Sequence, residues 1–224
     1  MRSLFLFLIG RGALLGLVLG LGMLRHASAA EMLAPSLSMD EAIARGTTDE
    51  VGRSLAADPA AINRIGAAKL TPLQQAILRR KTAIALLLIA RGADVNLADA
   101  AGRTPLHLAV ERNDATVLAA LLDRKADPVR RDRVGWTPLH HVAAKNHLPL
   151  AKLLLDQGAP PNALSELGGT PLHEAAAGAA GDMVRLLLAR GTDPKVRSKP
   201  GVTALDLARE FKNTDAIAIL EALP

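Results

Sequence analysis

The sequence predicts an all-α solenoid of about six stacked helix-turn-helix units, and three observations predict it. The tetrapeptide Thr-Pro-Leu-His stands at Thr104–His107, Thr137–His140 and Thr170–His173, each start 33 residues after the last. The same ruler lands backward on Thr71-Pro72-Leu73-Gln74 and forward on Thr203-Ala204-Leu205-Asp206. Leucine-rich runs recur out of phase with the tetrapeptide, at Leu86–Leu88, Leu153–Leu155 and Leu186–Leu188. Glycine recurs two residues before each Thr, at Gly102, Gly135, Gly168 and Gly201. A fixed period of this length means an array of one supersecondary unit, none of which can bury its apolar face alone.

Each element of the unit has a chemical reason. Thr suits the N-cap, and Pro suits the first helical turn, where its missing N–H costs nothing. Leu turns into the core. The imidazole carries one donor and one acceptor, so it can bridge the Thr side chain and the backbone of the neighbouring unit. The pairs Ala76-Ile77, Ala109-Val110, Val142-Ala143 and Ala175-Ala176 follow, and their small side chains let two helices approach. The second helix should end in a left-handed residue at Gly92, Gly158 and Gly191. Lys125 takes that place in one unit, where left-handed backbone costs a non-glycine residue about 1–2 kcal/mol. Pro149 should mark the first turn of a second helix. The only extended pieces are short arms of hairpin fingers.

With its Thr-Pro-Leu-His-x-Ala pattern, its period and the run Gly92-Ala93-Asp94-Val95-Asn96, the chain resembles the ankyrin repeat family. The resemblance covers about residues 37–224. It implies units at 38–70, 71–103, 104–136, 137–169, 170–202 and a truncated 203–224, with short β-hairpin fingers. The first unit lacks the tetrapeptide and reads as a cap, with one extra residue expected between Gly46 and Asp49. In the last unit Leu205, Leu207, Ala208, Ile217, Ile219 and Leu220 should form the buried stripe. Arg209, Glu210, Lys212, Asp215 and Glu221 should face water.

Ahead of the array, residues 1–29 read as a signal peptide. Arg2 and Arg11 precede an apolar Ala13–Leu24 run, and Ala27-Ser28-Ala29 is a small-residue cleavage site. The competing reading is an uncleaved anchor from Leu4 to Leu24. It would place Arg11 inside the apolar span, at about 2.5–3.5 kcal/mol if central. Residues 30–36 form a linker. The expectation is a periplasmic or secreted protein, monomeric, and with no membrane contact after cleavage. The chain contains no Cys, so it holds no disulfide even where the compartment would permit one.

Composition argues against several functions. The formal charge is +5, but three of the 27 basic residues lie in the leader, leaving 24 against 22 acidic ones. With one Trp, three Phe and no Tyr there is no stacking platform for bases, so nucleic acid is not expected. No zinc-ligand spacing accompanies His141 and His147, and no nucleophile elbow, P-loop or dinucleotide fingerprint is present. Neither a metal, a cofactor nor an enzyme activity is therefore expected. Asp132, Glu166 and Glu174 read as solvated surface carboxylates. Thr104, His107, Thr137, His140, Thr170 and His173 read as structural.

What remains is protein–protein binding. The resemblance implies that partners contact finger tips and the end of each first helix, on the concave side. On that transfer Arg103, Arg112, Arg133, Trp136 and Lys145 are the candidate partner-binding residues. Arg130, Arg131, Arg133 and the only Trp stand on one finger, and Trp and Arg are the types enriched at binding hot spots. The Trp136 ring could equally lie on the next unit's hairpin. The role could be a periplasmic partner or protector of an enzyme, an immunity or inhibitor protein against a toxic effector, or a secreted effector acting on host proteins.

Overall fold

The computed structural model describes residues 37–178 and 181–223. The expected signal peptide and the 30–36 linker lie outside the described residues. Twelve α-helices follow in six pairs: α1 (Met39–Arg45) and α2 (Thr48–Ala57); α3 (Pro72–Leu78) and α4 (Thr82–Ala90); α5 (Pro105–Arg112) and α6 (Ala115–Asp123); α7 (Pro138–Lys145) and α8 (Leu148–Asp156); α9 (Pro171–Ala177) and α10 (Gly181–Ala189); α11 (Ala204–Glu210) and α12 (Thr214–Glu221). A 3₁₀ turn, Pro59–Asn63, joins the first pair to the second. The first helices α1, α3, α5, α7, α9 and α11 pack each on the next, and the second helices form a parallel series behind them.

The core lies between these two layers. Ala76, Ala109, Val142, Ala175 and Ala208 recur at one register position, and all are fully buried. Leu73, Leu106, Leu139 and Leu172 do the same three residues earlier. These short helices would be marginal alone, since nucleation costs more than two turns return. Burial between neighbours holds them.

The helix starts explain why Thr-x-x-His recurs. In the outer units the capping is conventional: Glu41, Gln74 and Asp206 donate their main-chain N–H to the hydroxyls of Ser38, Thr71 and Thr203, at 3.4, 3.3 and 3.2 Å. Their side chains reach back to the N-cap N–H. In the three middle units His takes the reaching role. Thr104 N donates to His107 Nδ1 at 3.1 Å, and the hydroxyl lies 2.9 Å from the same nitrogen. Nδ1 therefore accepts, Nε2 carries the proton, and it donates to Trp136 O at 3.1 Å. His140 repeats this toward Gly169 O at 3.2 Å and His173 toward Val202 O at 3.1 Å. Each ring ties a helix start to the next finger, as expected from its paired donor and acceptor. Gln74 supplies the same pair from an amide, its Nε2 donating to Leu97 O at 2.8 Å. Asp206, with no donor, caps the last unit, where no further finger is described.

The expected short hairpin arms are closed by turn bonds. Asp99 N donates to Arg103 O and Gly102 N to Asp99 O, and the pattern repeats at 132–136, 165–169 and 198–202. No strand is assigned among the described residues. Neighbouring fingers join through Arg133 N to Ala101 O, 3.0 Å, and Lys199 N to Leu167 O, 2.8 Å. At Gly135, φ is +77° and a Cβ would press on the Glu166 main chain, so only glycine fits.

Two expectations are corrected. No extra residue separates Gly46 from α2: Gly46 ends α1 as Asn113 ends α5, and Thr47 caps α2 as Asp114 caps α6. In the last unit Leu205, Leu207, Ile217 and Ile219 of the expected buried stripe are only half-buried. Leu207 and Ile219 match positions that are half-buried in the preceding unit too, at Glu174 and Leu186, whereas Leu205 and Ile217 match the buried Leu172 and Val184. Arg209, Glu210, Lys212, Asp215 and Glu221 are exposed as expected. Pro149 does lie in the first turn of α8.

Lys125 is left-handed, with φ +63°, where Gly92, Gly158 and Gly191 stand in other units. Its side chain is exposed, so nothing is lost by removing it. Lys125→Gly should stabilise the array by about 1 kcal/mol. A urea melt checks this as a raised midpoint with an unchanged slope; a lowered midpoint would show that the lysine stem contributes packing.

Candidate functional site

The fingers and the first helices carry the candidate residues, and three register positions decide their chemistry. The finger's first residue is Asp99, Asp132, Ser165 or Ser198. Its last is Arg103, Trp136, Gly169 or Val202. The helix residue four places after the N-cap Thr is Gln75, Leu108, His141, Glu174 or Leu207.

Each aspartate organises its own finger. Asp99 Oδ1 accepts from Ala101 N and Arg103 N at 2.8 and 2.9 Å. Asp132 Oδ1 accepts from Val134 N and Trp136 N at 3.0 and 2.9 Å. The second carboxylate oxygen then needs a partner, and the two fingers solve this differently. At Asp99 the guanidinium of Arg103 closes back at 2.9 Å and also reaches Glu111 at 2.7 Å. At Asp132 the finger's last residue is Trp, so the donor comes from the helix: His141 Nε2 lies 2.8 Å from Asp132 Oδ2. Burial would raise the Asp132 pKa, but the bonds from His141 and from the Trp136 and Val134 main chain hold it below the usual carboxylate value.

Trp136 is half-buried, and its ring lies against the first turn of α7. Its ring stacks on His140 with centroids 6.2 Å apart at 23°, and meets His141 edge-on at 4.9 Å. Packing against two imidazoles fixes the indole orientation before any partner arrives.

The five candidate partner-binding residues fall into three situations. Arg133 and Lys145 are exposed, as are Arg130 and Arg131, and the described residues give none of these four an ion pair within 4 Å. Trp136 is held as above. Arg103 is half-buried and committed to Asp99 and Glu111. Arg112 is half-buried too; its Nε is enclosed without a partner among the described residues, while its carbonyl accepts from Arg80 at 3.0 Å. Arg103 and Trp136 stand at the starts of α5 and α7, and Arg112 and Lys145 in the last turns of those helices. The structure thus brings Trp136 together with His140, His141 and Asp132, and leaves Arg112 and Lys145 at the far end of the face.

The tips of the two middle fingers, where the family resemblance implies partner contacts, are apolar and open: Val134 is 58% exposed and Leu167 66%. Sequence reasoning missed one feature. Glu174, expected as a solvated charge, is half-buried. Burial pushes its pKa up to about 7, and it has no hydrogen-bond partner among the described residues.

Among the described residues no group of three or more His, Cys, Asp or Glu is placed to hold a metal ion, and no helix is long and apolar enough to cross a membrane. The arrangement offers fixed aromatic, apolar and cationic contacts in a row, which is the chemistry of a binding surface. A family model for ankyrin repeats, three copies long, matches residues 39–132 and again 130–198, together most of the chain. A search of curated proteins returned no match.

Proposed function

The chain belongs to the ankyrin repeat family, whose members generally mediate protein–protein interaction and are typically non-catalytic, and from that premise we propose that it is an exported, non-catalytic module that binds one protein partner through the concave side of its fingers and first helices. The observation that carries this reading is the finger Arg130–Trp136. It combines three exposed arginines, an open apolar tip at Val134 and an indole already fixed on two imidazoles. Affinity concentrates in such aromatic and arginine residues when a partner can desolvate them. A side chain held before binding loses little further entropy on docking.

Arg133 and Trp136 anchor the partner in this reading, with Val134 and Leu167 supplying apolar area and Lys145 a flanking charge. Arg103 and Arg112 contribute by shaping the surface, since Arg103 is neutralised by Asp99 and Glu111 and Arg112 is half-buried. The free arginines face an acidic partner surface, so added salt slows association. The leader-like start, with its apolar run and Ala27-Ser28-Ala29, supports export to the periplasm as the compartment. Within that role, protection of a periplasmic enzyme is the first reading, and immunity against a toxic effector or action on host proteins are the alternatives.

Capture from a periplasmic extract tests the proposal. The tagged protein isolated from that fraction should begin at Ala30 or Glu31 and retain one protein in stoichiometric amount. A chain recovered with Met1 in the membrane fraction would contradict export, and a clean column from every soluble fraction would contradict a soluble partner. An enzyme, a toxin or a host protein on the column distinguishes the three roles.

A further inference from the structure

The finger 165–169 differs from the two before it by an absence. Its last residue is Gly169, where they have Arg103 and Trp136. Its first residue is Ser165, whose hydroxyl accepts from Gly169 N at 3.1 Å, so the finger brings no carboxylate of its own. The carboxylate comes from the helix instead, at Glu174, where the previous unit has His141. The charge arrangement of the finger 132–136 and His141 is therefore reversed at the finger 165–169 and Glu174, and the cation is missing.

Gly169 has room for a side-chain stem. A Cβ at Gly169 would stand 3.5 Å from Ser165 Oγ, 3.7 Å from His173 Cβ and 3.8 Å from Glu174 Oε1, all ordinary contacts, with no left-handed backbone to forbid it. The rest of such a side chain would extend past the Glu174 carboxylate. In the second unit Arg103 does this from the matching position, bridging Asp99 and Glu111. The aromatic wall is also close. His140 Nε2 donates to Gly169 O at 3.2 Å, and Trp136 stacks on that same imidazole. Glu174 meanwhile is half-buried, with burial the single cause of its raised pKa, so no cation among the described residues offsets its desolvation.

We propose that the notch at Gly169 receives an arginine side chain of the protein partner, its guanidinium against the Glu174 carboxylate and beside the Trp136 ring. Arginine fits better than lysine because the planar fork meets a carboxylate through two bonds while its face lies on an aromatic ring. The inference rests on the proposed protein-binding role and adds the chemistry of one contact. A partner with an acidic surface toward Arg130, Arg131 and Arg133 and one arginine toward Glu174 can dock in only one register along the array.

Two measurements test it, and the first needs no partner. Gly169→Arg supplies the guanidinium from the chain itself, and Gly169→Met supplies a flexible neutral side chain. At pH 8 Gly169→Arg should melt roughly 3 °C above Gly169→Met, a shift of the size one weak ion pair gives in a domain this large. The difference should vanish when Glu174→Gln is present in both. Equal melting of the two single variants would show that a guanidinium does not reach the carboxylate. The second measurement titrates the captured partner. Gly169→Arg, with the notch filled, and Glu174→Gln should each weaken binding at least tenfold while melting as folded proteins. If both bind like wild type while Arg133→Ala and Trp136→Ala do not, the notch proposal is overturned and the wider binding surface stands. If all four bind like wild type, both readings fail.

Discussion

Lowering the pH from 7.5 to 5 should remove about 4 kcal/mol of folding free energy through two buried rings, about 2 kcal/mol for each of His107 and His140. Both rings are buried, at 2% and 0% exposure. Burial lowers each pKa from 6.5 to about 4, with the Nε2 bond to the next finger opposing it. The sign follows from which state binds the proton. The unfolded chain takes it up near pH 6.5, whereas the folded one resists until about pH 4. The stability from each neutral ring is therefore complete above pH 6.5 and falls away as the pH drops through that window. His173 and His147 shift in the same direction, burial again the leading cause. Glu174 works the other way: its raised pKa makes the folded state the better proton acceptor between the ordinary carboxylate value and about 7. Glu174→Gln should thus steepen the acid loss. The chain also supplies its own control, since Gln74 fills the same role without titrating. Replacing both rings by Gln should flatten the profile. Urea melts at pH 7.5 and 5 decide; equal midpoints in the wild type would mean that the rings are protonated inside the folded array.

Leu154→Ala should cost about 2–5 kcal/mol, the range for emptying a closed leucine site. Leu154 is fully buried in α8, and α8 packs against both α6 and α10. In an array, stability is a sum of units and neighbour interfaces, so a hole in an inner unit weakens two interfaces at once. Leu153 and Leu155, on either side, are only half-buried, and Leu153→Ala should cost distinctly less. A urea midpoint for Leu154→Ala equal to wild type would show that the register of α8 is misplaced by a residue.

The period made the array legible, because one unit read five times averages out local noise. The Thr-x-x-His bridge was legible as well, since the donor–acceptor inventory of imidazole admits few other uses for it at a helix start. What escaped was set by contacts between units. Asn63, Asn96 and Asn162 each accept, at 2.8–2.9 Å, the main-chain N–H of the residue 31 places on, Asp94, Asp127 and Asp193. The series breaks at Val129, and there the residue 31 places on is Pro160, which has no N–H to donate. That pairing is visible in the sequence only once the staple is known. Asn113 and Asn146 end α5 and α7 in left-handed backbone, a signal available from residue type alone. Arg80 and Lys212 do the same without being Gly or Asn, and residue type gives no sign of it. At the candidate site, residue type singled out Arg133 and Trp136 and treated Arg103 and Glu174 by charge alone. Whether a charge is spent depends on its neighbours: Arg103 is closed on by two carboxylates, while Glu174 meets Gly169 where another unit has an arginine.

The central claim, that a partner docks on the fingers and first helices, is tested most directly by titrating the captured protein with variants on opposite sides of the array. Arg133→Ala and Trp136→Ala, each melting like wild type, represent the finger side; Lys152→Ala and Arg185→Ala, at exposed positions of α8 and α10, represent the second-helix side. At least one of the first pair should lose about 2 kcal/mol or more of binding free energy, the level that marks a hot spot, while the second pair binds unchanged. Normal binding by the first pair with loss in the second would place the partner on the outer face and contradict the account.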